Sequence, residues 1–314
     1  MSFIAHRWLL TLCLVCLAAG VTNAAEPSLI IVSPDRNAAY QEATNALMEE
    51  LEKNGVVQSE VEQLTQMEWE RTGTLRPRLF VTLGVQACAA LAKIRTTSAV
   101  LCTLLPSLSF ERILRDNART VSPLISSLYM SQPLSRQLDL VKLALPKTRK
   151  VGVLFGPESR AFENRLQAAA DARGLQVVST VLEPGEPVAN GLKNTLNESD
   201  ALLALPDPQV YNAASIQNIL LVSYRVRVPM VAFSPAYVRA GALLALYSTP
   251  AQIGQQAGVM ARGVLQGRSL GAPEYPQNFT ISVNDNVARS MGLNLNAEEL
   301  TQRLQRLERQ ERRP

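Results

Sequence analysis

Residues 150–182, KVGVLFGPESRAFENRLQAAADARGLQVVSTVL, decide the fold class. After Lys150, the run Val151–Gly156 is apolar without interruption, as strands covered on both faces of a parallel sheet are. Residues 158–174 follow with helical character and stop at Gly174, and Leu175–Leu182 reads as a second strand. Strand, helix, strand in this order is the repeating unit of a doubly wound α/β sheet.

The same order extends in both directions. Downstream, a helix over about 186–197 leads to the strand DALLALP (200–206), a helix over 209–226, and the strands VPMVAFS (228–234) and GALLALYS (241–248). Upstream, strands are predicted at SLIIVS (28–33), VVQSEV (56–61), RLFVTLG (78–84), AVLCTLL (99–105) and VSPLISSLYM (121–130). Helices fill the gaps after residue 34, over VQACAALAKI, and over LSRQLDLVKLAL (134–145), which Pro146 ends. So many units exceed what one hydrophobic core serves, and two α/β lobes are expected.

The first 24 residues read as a cleavable secretory leader: His6 and Arg7, then WLLTLCLVCLAAG, then small residues. Cleavage is placed after Ala24, with Ala18-Ala19-Gly20 as a second position and an uncleaved anchor as the alternative. The leader carries off the chain's one histidine, His6, along with Cys13 and Cys16. Without histidine, Ser-His-Asp and Cys-His catalysis and the usual zinc sites are excluded, so no catalytic, metal or cofactor site is assigned. Cys88 and Cys102 remain; they either pair in an oxidising compartment or stay as buried thiols, the commoner outcome. The formal charge of +4, which becomes +3 without Arg7, sits largely in the tail RLQRLERQERRP. Residues 295–314 are accordingly read as a basic, solvated helical end, and nucleic acid is not expected as a partner.

Ligands of such sheets bind beyond the carboxyl ends of the strands. That edge collects Ser33-Pro34-Asp35, Gly84-Val85-Gln86, Pro106-Ser107, Gly156 to Ser159, Pro206-Asp207-Pro208 and Ser234 to Tyr237. Asp207 stands out because prolines on both sides hold it out of a helix. It is either a turn cap or an acid facing a ligand.

Four stretches carry a family resemblance: QPLSRQLDLVKLALPKTRKVGVLFGPES (132–159), SDALLALPDPQVYNA (199–213), RVPMVAFSPAYVRAGALLALYSTPAQIGQQAGVMARGVLQG (227–267) and NFTISVNDNVARSMGL (278–293). They resemble the periplasmic substrate-binding proteins of ABC transporters, in the branch that includes tryptophan and tyrosine binders. The resemblance implies the type I periplasmic binding fold, two doubly wound parallel-sheet lobes joined by a three-crossover hinge. The lobes would be 25–131 plus 246–270 and 132–245 plus 271–294. It also implies a ligand-facing role for Asp207 toward an amino group, with Gly84, Gln86, Glu158, Ser159 and Ser234 on matching cleft loops; Ser33, Asp35 and Tyr237 join the candidates from their place on the strand-end loops. The first lobe departs from the family pattern: LLPSLSF (104–110) has no acid after the fourth strand, and Val85 replaces a threonine.

The expected function is therefore that of a secreted, monomeric, non-enzymatic protein. It captures a small, amine-bearing molecule for an inner-membrane ABC permease from the periplasm. The alternative is an accessory or sensor subunit of the same fold that contacts a membrane receptor. Sugars are less favoured, since aromatic residues make up 5% of the chain.

Overall fold

The computed structural model describes residues 27–72 and 75–311; the expected leader lies outside the described residues. The first lobe runs β1 (Leu29–Ser33), α1 (Ala38–Glu52), β2 (Val61–Thr65), α2 (Gln66–Thr72), β3 (Leu79–Leu83), α3 (Gly84–Lys93), β4 (Ala99–Leu105), α4 (Ser107–Asp116) and β5 (Ile125–Tyr129). The second continues with α5 (Leu134–Ala144), β6 (Lys150–Phe155), α6 (Glu163–Asp171), β7 (Gln176–Val181), α7 (Val188–Asn197), β8 (Ala201–Leu203), α8 (Ile216–Arg225), β9 (Met230–Ala232), α9 (Pro235–Ala240) and β10 (Leu244–Tyr247). Then α10 (Pro250–Leu265) returns to the first lobe, and β11 (Thr280–Val283), α11 (Asp285–Ser290) and α12 (Ala297–Glu311) complete the second. The two sheets have the orders β2-β1-β3-β4-β5 and β11-β10-β9-β8-β6-β7. All neighbours are parallel except β10 and β11.

The inner strands of each sheet are buried on both faces, which is why they read as apolar runs, whereas the edge strands β2 and β7 are partly exposed and mix polar residues in. Along β1, Ile30 and Val32 enter one layer with Phe80 and Phe110, while Leu29 and Ile31 enter the opposite layer with Leu47 and Leu101. On α10, Ile253, Ala257 and Ala261 complete that second layer. The two helices approach so closely that a Cβ on Gly254 would lie 2.1 Å from the Ala43 carbonyl oxygen. Only glycine fits there.

Several sequence expectations shift. The second strand starts at Val61, since polar Gln58–Glu60 form a 3-10 turn instead. The helix expected over 209–226 begins at Ile216, because Asn212 and Ser215 tie the preceding residues into turns. The second crossing between lobes follows Tyr247 rather than residue 245. Cys88 of α3 and Cys102 of β4 are paired in a disulfide, their Cα atoms 5.4 Å apart, rather than held as free thiols. The C-terminal tail is not a solvated end. On α12, Leu300 and Leu304, one helical turn apart, are buried in the second lobe's core beside α5 and β11.

The three crossings, 130–133, 248–249 and 266–279, are tied together by one side chain. Arg136 on α5, only 2% exposed, donates to Gln132 Oε1 at 2.6 Å, to the Pro276 carbonyl at 2.8 Å and to Glu308 of α12. Its guanidinium lies 4.7 Å from the centre of the Phe279 ring. Gln132 Nε2 donates to Ser248 Oγ at 2.9 Å, and Ser248 Oγ donates to the Asn278 carbonyl at 2.6 Å. Each crossing thus contributes an atom to one connected network.

Two measurements probe this frame. Replacing Glu308 by glutamine (Glu308→Gln) strips a buried guanidinium of its counter-charge and should cost about 3 kcal/mol in urea unfolding. An unchanged midpoint would show that the carbonyl oxygens suffice. Reducing the Cys88–Cys102 bridge opens a short loop and should cost roughly 3 kcal/mol, seen as a lower melting temperature in reductant.

Candidate functional site

A hollow of about 370 Å³ opens between the lobes, at the carboxyl ends of both sheets. The first lobe contributes Val85 at the start of α3, with Pro106, Leu108, Ser109 and Arg112 around α4. The second contributes Glu158, Phe162, Pro206, Asp207, Pro208, Tyr211, Phe233 and Tyr237. At the end of β4 the pairing register shifts and Leu104 takes a φ of 54°. This bulge precedes Pro106 and the first turn of α4 on the cleft.

Asp207 is 2% exposed and its carboxylate is engaged within its own lobe. Oδ2 accepts from the backbone N–H of Glu158 (3.1 Å), the N–H of Ser159 (2.8 Å) and the Ser159 hydroxyl (2.9 Å). Oδ1 accepts from Gln209 N–H at 3.0 Å. A Cβ on Gly156 would come within 2.4 Å of this carboxylate, so the glycine makes room for it. The flanking prolines leave the acid little freedom, and four donors satisfy its charge. It thereby fixes the turn that presents Glu158.

Two ion pairs span the cleft. Arg112 of α4 meets Glu158 at 2.7 Å, and Arg165 of α6 makes a bidentate pair with Glu111 at 2.9 and 3.0 Å. The consecutive residues Glu111 and Arg112 thus face a base and an acid on the opposite lobe. Hydrogen bonding to Glu111 raises the pKa of Arg165 above its ordinary value, and its guanidinium lies 5.4 Å from the Phe162 ring centre. The four side chains are between 34% and 49% exposed. Each pair therefore adds only a modest closing energy.

The second lobe's wall is aromatic. Tyr211, Phe233 and Tyr237 pack edge to face with ring centres 5.0–6.4 Å apart. The Tyr237 hydroxyl donates to the Tyr211 carbonyl at 3.3 Å, while the buried Tyr211 hydroxyl has no partner among the described residues. Burial pushes both phenols' pKa values up; for Tyr211 the Tyr237 hydroxyl and the Asp207 charge add to the effect.

Of the residues expected on the cleft, Glu158, Asp207 and Tyr237 line this hollow. Ser159 lies buried behind it, accepting from Gly156 N–H and donating to Asp207. Ser33 and Asp35 line a different hollow with Tyr40 and Gln63. Gln86 lines a third, between α2 and α3, beside Trp69 and Lys93. Gly84 sits at φ 86°, where an added Cβ would lie 2.5 Å from the Tyr40 hydroxyl, and Ser234 caps α9 through Ala236 N–H. The sequence reading missed α4 altogether and with it Arg112. Its signal was present: Phe110, Ile113 and Leu114 recur at helical spacing after Pro106. Among the described residues no group of three or more His, Cys, Asp or Glu is arranged to hold a metal ion. No described helix is long and apolar enough to cross a membrane.

The comparisons with known proteins agree with this architecture. A tyrosine-binding protein from Clostridioides difficile is 26% identical over 141 residues, 44% of this chain and 40% of that relative, so the match spans less than half of the relative's length. Among solved structures, a ligand-free, open substrate-binding protein with adhesive properties from Clostridium difficile superposes with a TM-score of 0.68 at 18% identity, covering 86% of this chain and 96% of that one. An ABC domain in complex with L-Trp from Streptococcus pneumonia gives 0.62 at 15% identity, covering 88% and 98%. These similarities establish the fold, two lobes of the type I periplasmic binding kind. The sequence pattern of ABC transporter substrate binding proteins matches residues 31–305, and the chain belongs to that family.

Proposed function

We propose that this chain is a periplasmic solute-binding protein. In this reading it closes its two lobes on a small, amine-bearing molecule and delivers it to an inner-membrane ABC permease. The observation that carries the reading is the cleft itself, lined from both lobes and bridged by exchangeable charges. Closure is driven by a ligand only if the ligand touches both lobes, because differential affinity for the closed state is what shifts the equilibrium. Arg112 and Glu158 supply one group from each side.

Glu158 is the acid we assign to the ligand's amino group. Its backbone is held by Asp207, and among the described residues its carboxylate pairs with Arg112, which a ligand cation can replace. Asp207 takes the positioning role; with its oxygens already accepting four hydrogen bonds, it contributes through the turn it fixes. The aromatic wall receives the apolar body of the ligand. The family membership, the leader-like first 24 residues and the absence of histidine after them support a secreted, non-enzymatic protein.

The reading is tested by a thermal-shift screen of the mature protein against amino acids, biogenic amines, purines and short peptides. A true ligand at a hundredfold excess over its Kd stabilises the fold by about 2.7 kcal/mol. No shift from any member would defeat the assignment. With a ligand in hand, Glu158→Gln should weaken an amine-bearing compound by roughly 2–5 kcal/mol in calorimetry while leaving the fold intact. Asp207→Asn should act differently, lowering the stability of the ligand-free protein by about 1–3 kcal/mol, because an amide cannot accept from all four donors.

A further inference from the structure

The hollow between α2 and α3 encloses about 660 Å³ and shares no lining residue with the cleft. Trp69, which is 9% exposed, forms its apolar lining with Ala90 and Ile94. Arg76, Lys93 and Arg95 stand around that lining, all exposed, and none of them forms an ion pair among the described residues. The acid on the lining, Glu70, already accepts from Gln66 Nε2 at 2.8 Å. Arg119 brings a fourth cation to the same place, donating to the Ala92 and Ile94 carbonyls at 3.4 and 3.1 Å. The carboxyl end of α3 attracts cations, but it carries only about half an elementary charge, so with Glu70 it leaves roughly two to three positive charges unanswered. A bound anion relieves their mutual repulsion. The apolar lining beside them suits a hydrocarbon or aromatic body.

We propose that this hollow is a second binding site, for a small amphiphilic anion. The apolar body lies against Trp69, Ala90 and Ile94, and a carboxylate or phosphate head is held by Arg76, Lys93 and Arg95. Arginine grips such a head through paired N–H donors, and lysine adds a point charge. Every residue of the lining belongs to the first lobe, so the occupant touches one lobe only. A ligand that binds open and closed forms equally shifts nothing between them. The site therefore fills independently of cleft closure, and the proposal does not rest on the solute-binding reading above.

Trp69 is the one tryptophan after the expected leader, so its emission reports on this hollow. Decanoate and decyl phosphate serve as probes. Decyltrimethylammonium offers the same chain with the opposite charge, and acetate offers a head without the body. In low salt the mature protein should bind the two anionic amphiphiles saturably in calorimetry, with a change in Trp69 emission. Both controls should bind at least about tenfold more weakly, and raising the salt should weaken the anionic probes severalfold. The triple variant Arg76→Gln, Lys93→Gln, Arg95→Gln alters exposed side chains, so it should melt with the unaltered protein yet bind these probes at least about tenfold more weakly. Vesicles distinguish the source of the anion. Sedimentation with phosphatidylglycerol but not phosphatidylcholine vesicles, lost in the triple variant, assigns the head to a membrane lipid; free-probe binding without sedimentation assigns it to a soluble acid. Equal binding of decyltrimethylammonium, an unmoved Trp69 emission, or undiminished binding by the triple variant would overturn the proposal.

Discussion

One buried guanidinium governs how the lobes meet. Arg136 reaches the first crossing through Gln132, the third through the Pro276 carbonyl, and the C-terminal helix through Glu308. Gln132 extends the network to Ser248 in the second crossing. A charge with 2% exposure is tolerable only when its donors are satisfied and a counter-charge is near. The hinge is therefore specified by a polar network whose members come from four distant parts of the chain. This explains why α12, which reads as a charged surface helix, is docked instead: Leu300 and Leu304 anchor it and Glu308 completes the hinge.

Asp207 does within one lobe what Arg136 does between lobes. Its carboxylate gathers the 156–159 turn and the 206–211 loop, two segments that follow neighbouring strands β6 and β8. The acid that was most conspicuous in the sequence is thus surrounded by protein donors, while its neighbour Glu158 presents the exchangeable charge. A turn cap and a ligand-facing acid were posed as alternatives. In the structure Asp207 has the hydrogen bonds of the first and the location of the second.

The alternation of strands and helices was legible because parallel strands buried on both faces leave long apolar runs bounded by Gly and Pro, whereas the return of α10 to the first lobe was expected only from the family resemblance. The cleft was only half legible. Loops after strands locate the edge where ligands bind, but which loops face one another depends on lobe orientation, a long-range property. Hence Glu158 and Tyr237 share a hollow with Asp207, whereas Ser33, Asp35 and Gln86, equally plausible by position, line others. α4 was hidden for a local reason: LLPSLSF offers no acidic or Ser/Thr/Asn/Asp cap before Ser107, its helix entering behind Pro106 with no side-chain cap. The disulfide was hidden too, because spacing alone cannot say whether a helix and the next strand will bring two thiols together.

The first lobe's departure from the family pattern acquires a physical sense in this light. It lacks an acid directly after β4, yet a few residues later α4 supplies Glu111 and Arg112, which pair with Arg165 and Glu158 across the cleft. Partly exposed pairs of this kind are worth little on their own, about 1 kcal/mol or less each. They can align two lobes but cannot hold them shut against a competing open state. The second lobe carries the fixed features, Asp207's turn and the aromatic wall; the first lobe carries charges that rearrange at low cost. In the proposed solute-binding reading, specificity would then reside mainly in the second lobe, and exchange of the Arg112–Glu158 pair for ligand contacts would be the step that couples closure to capture.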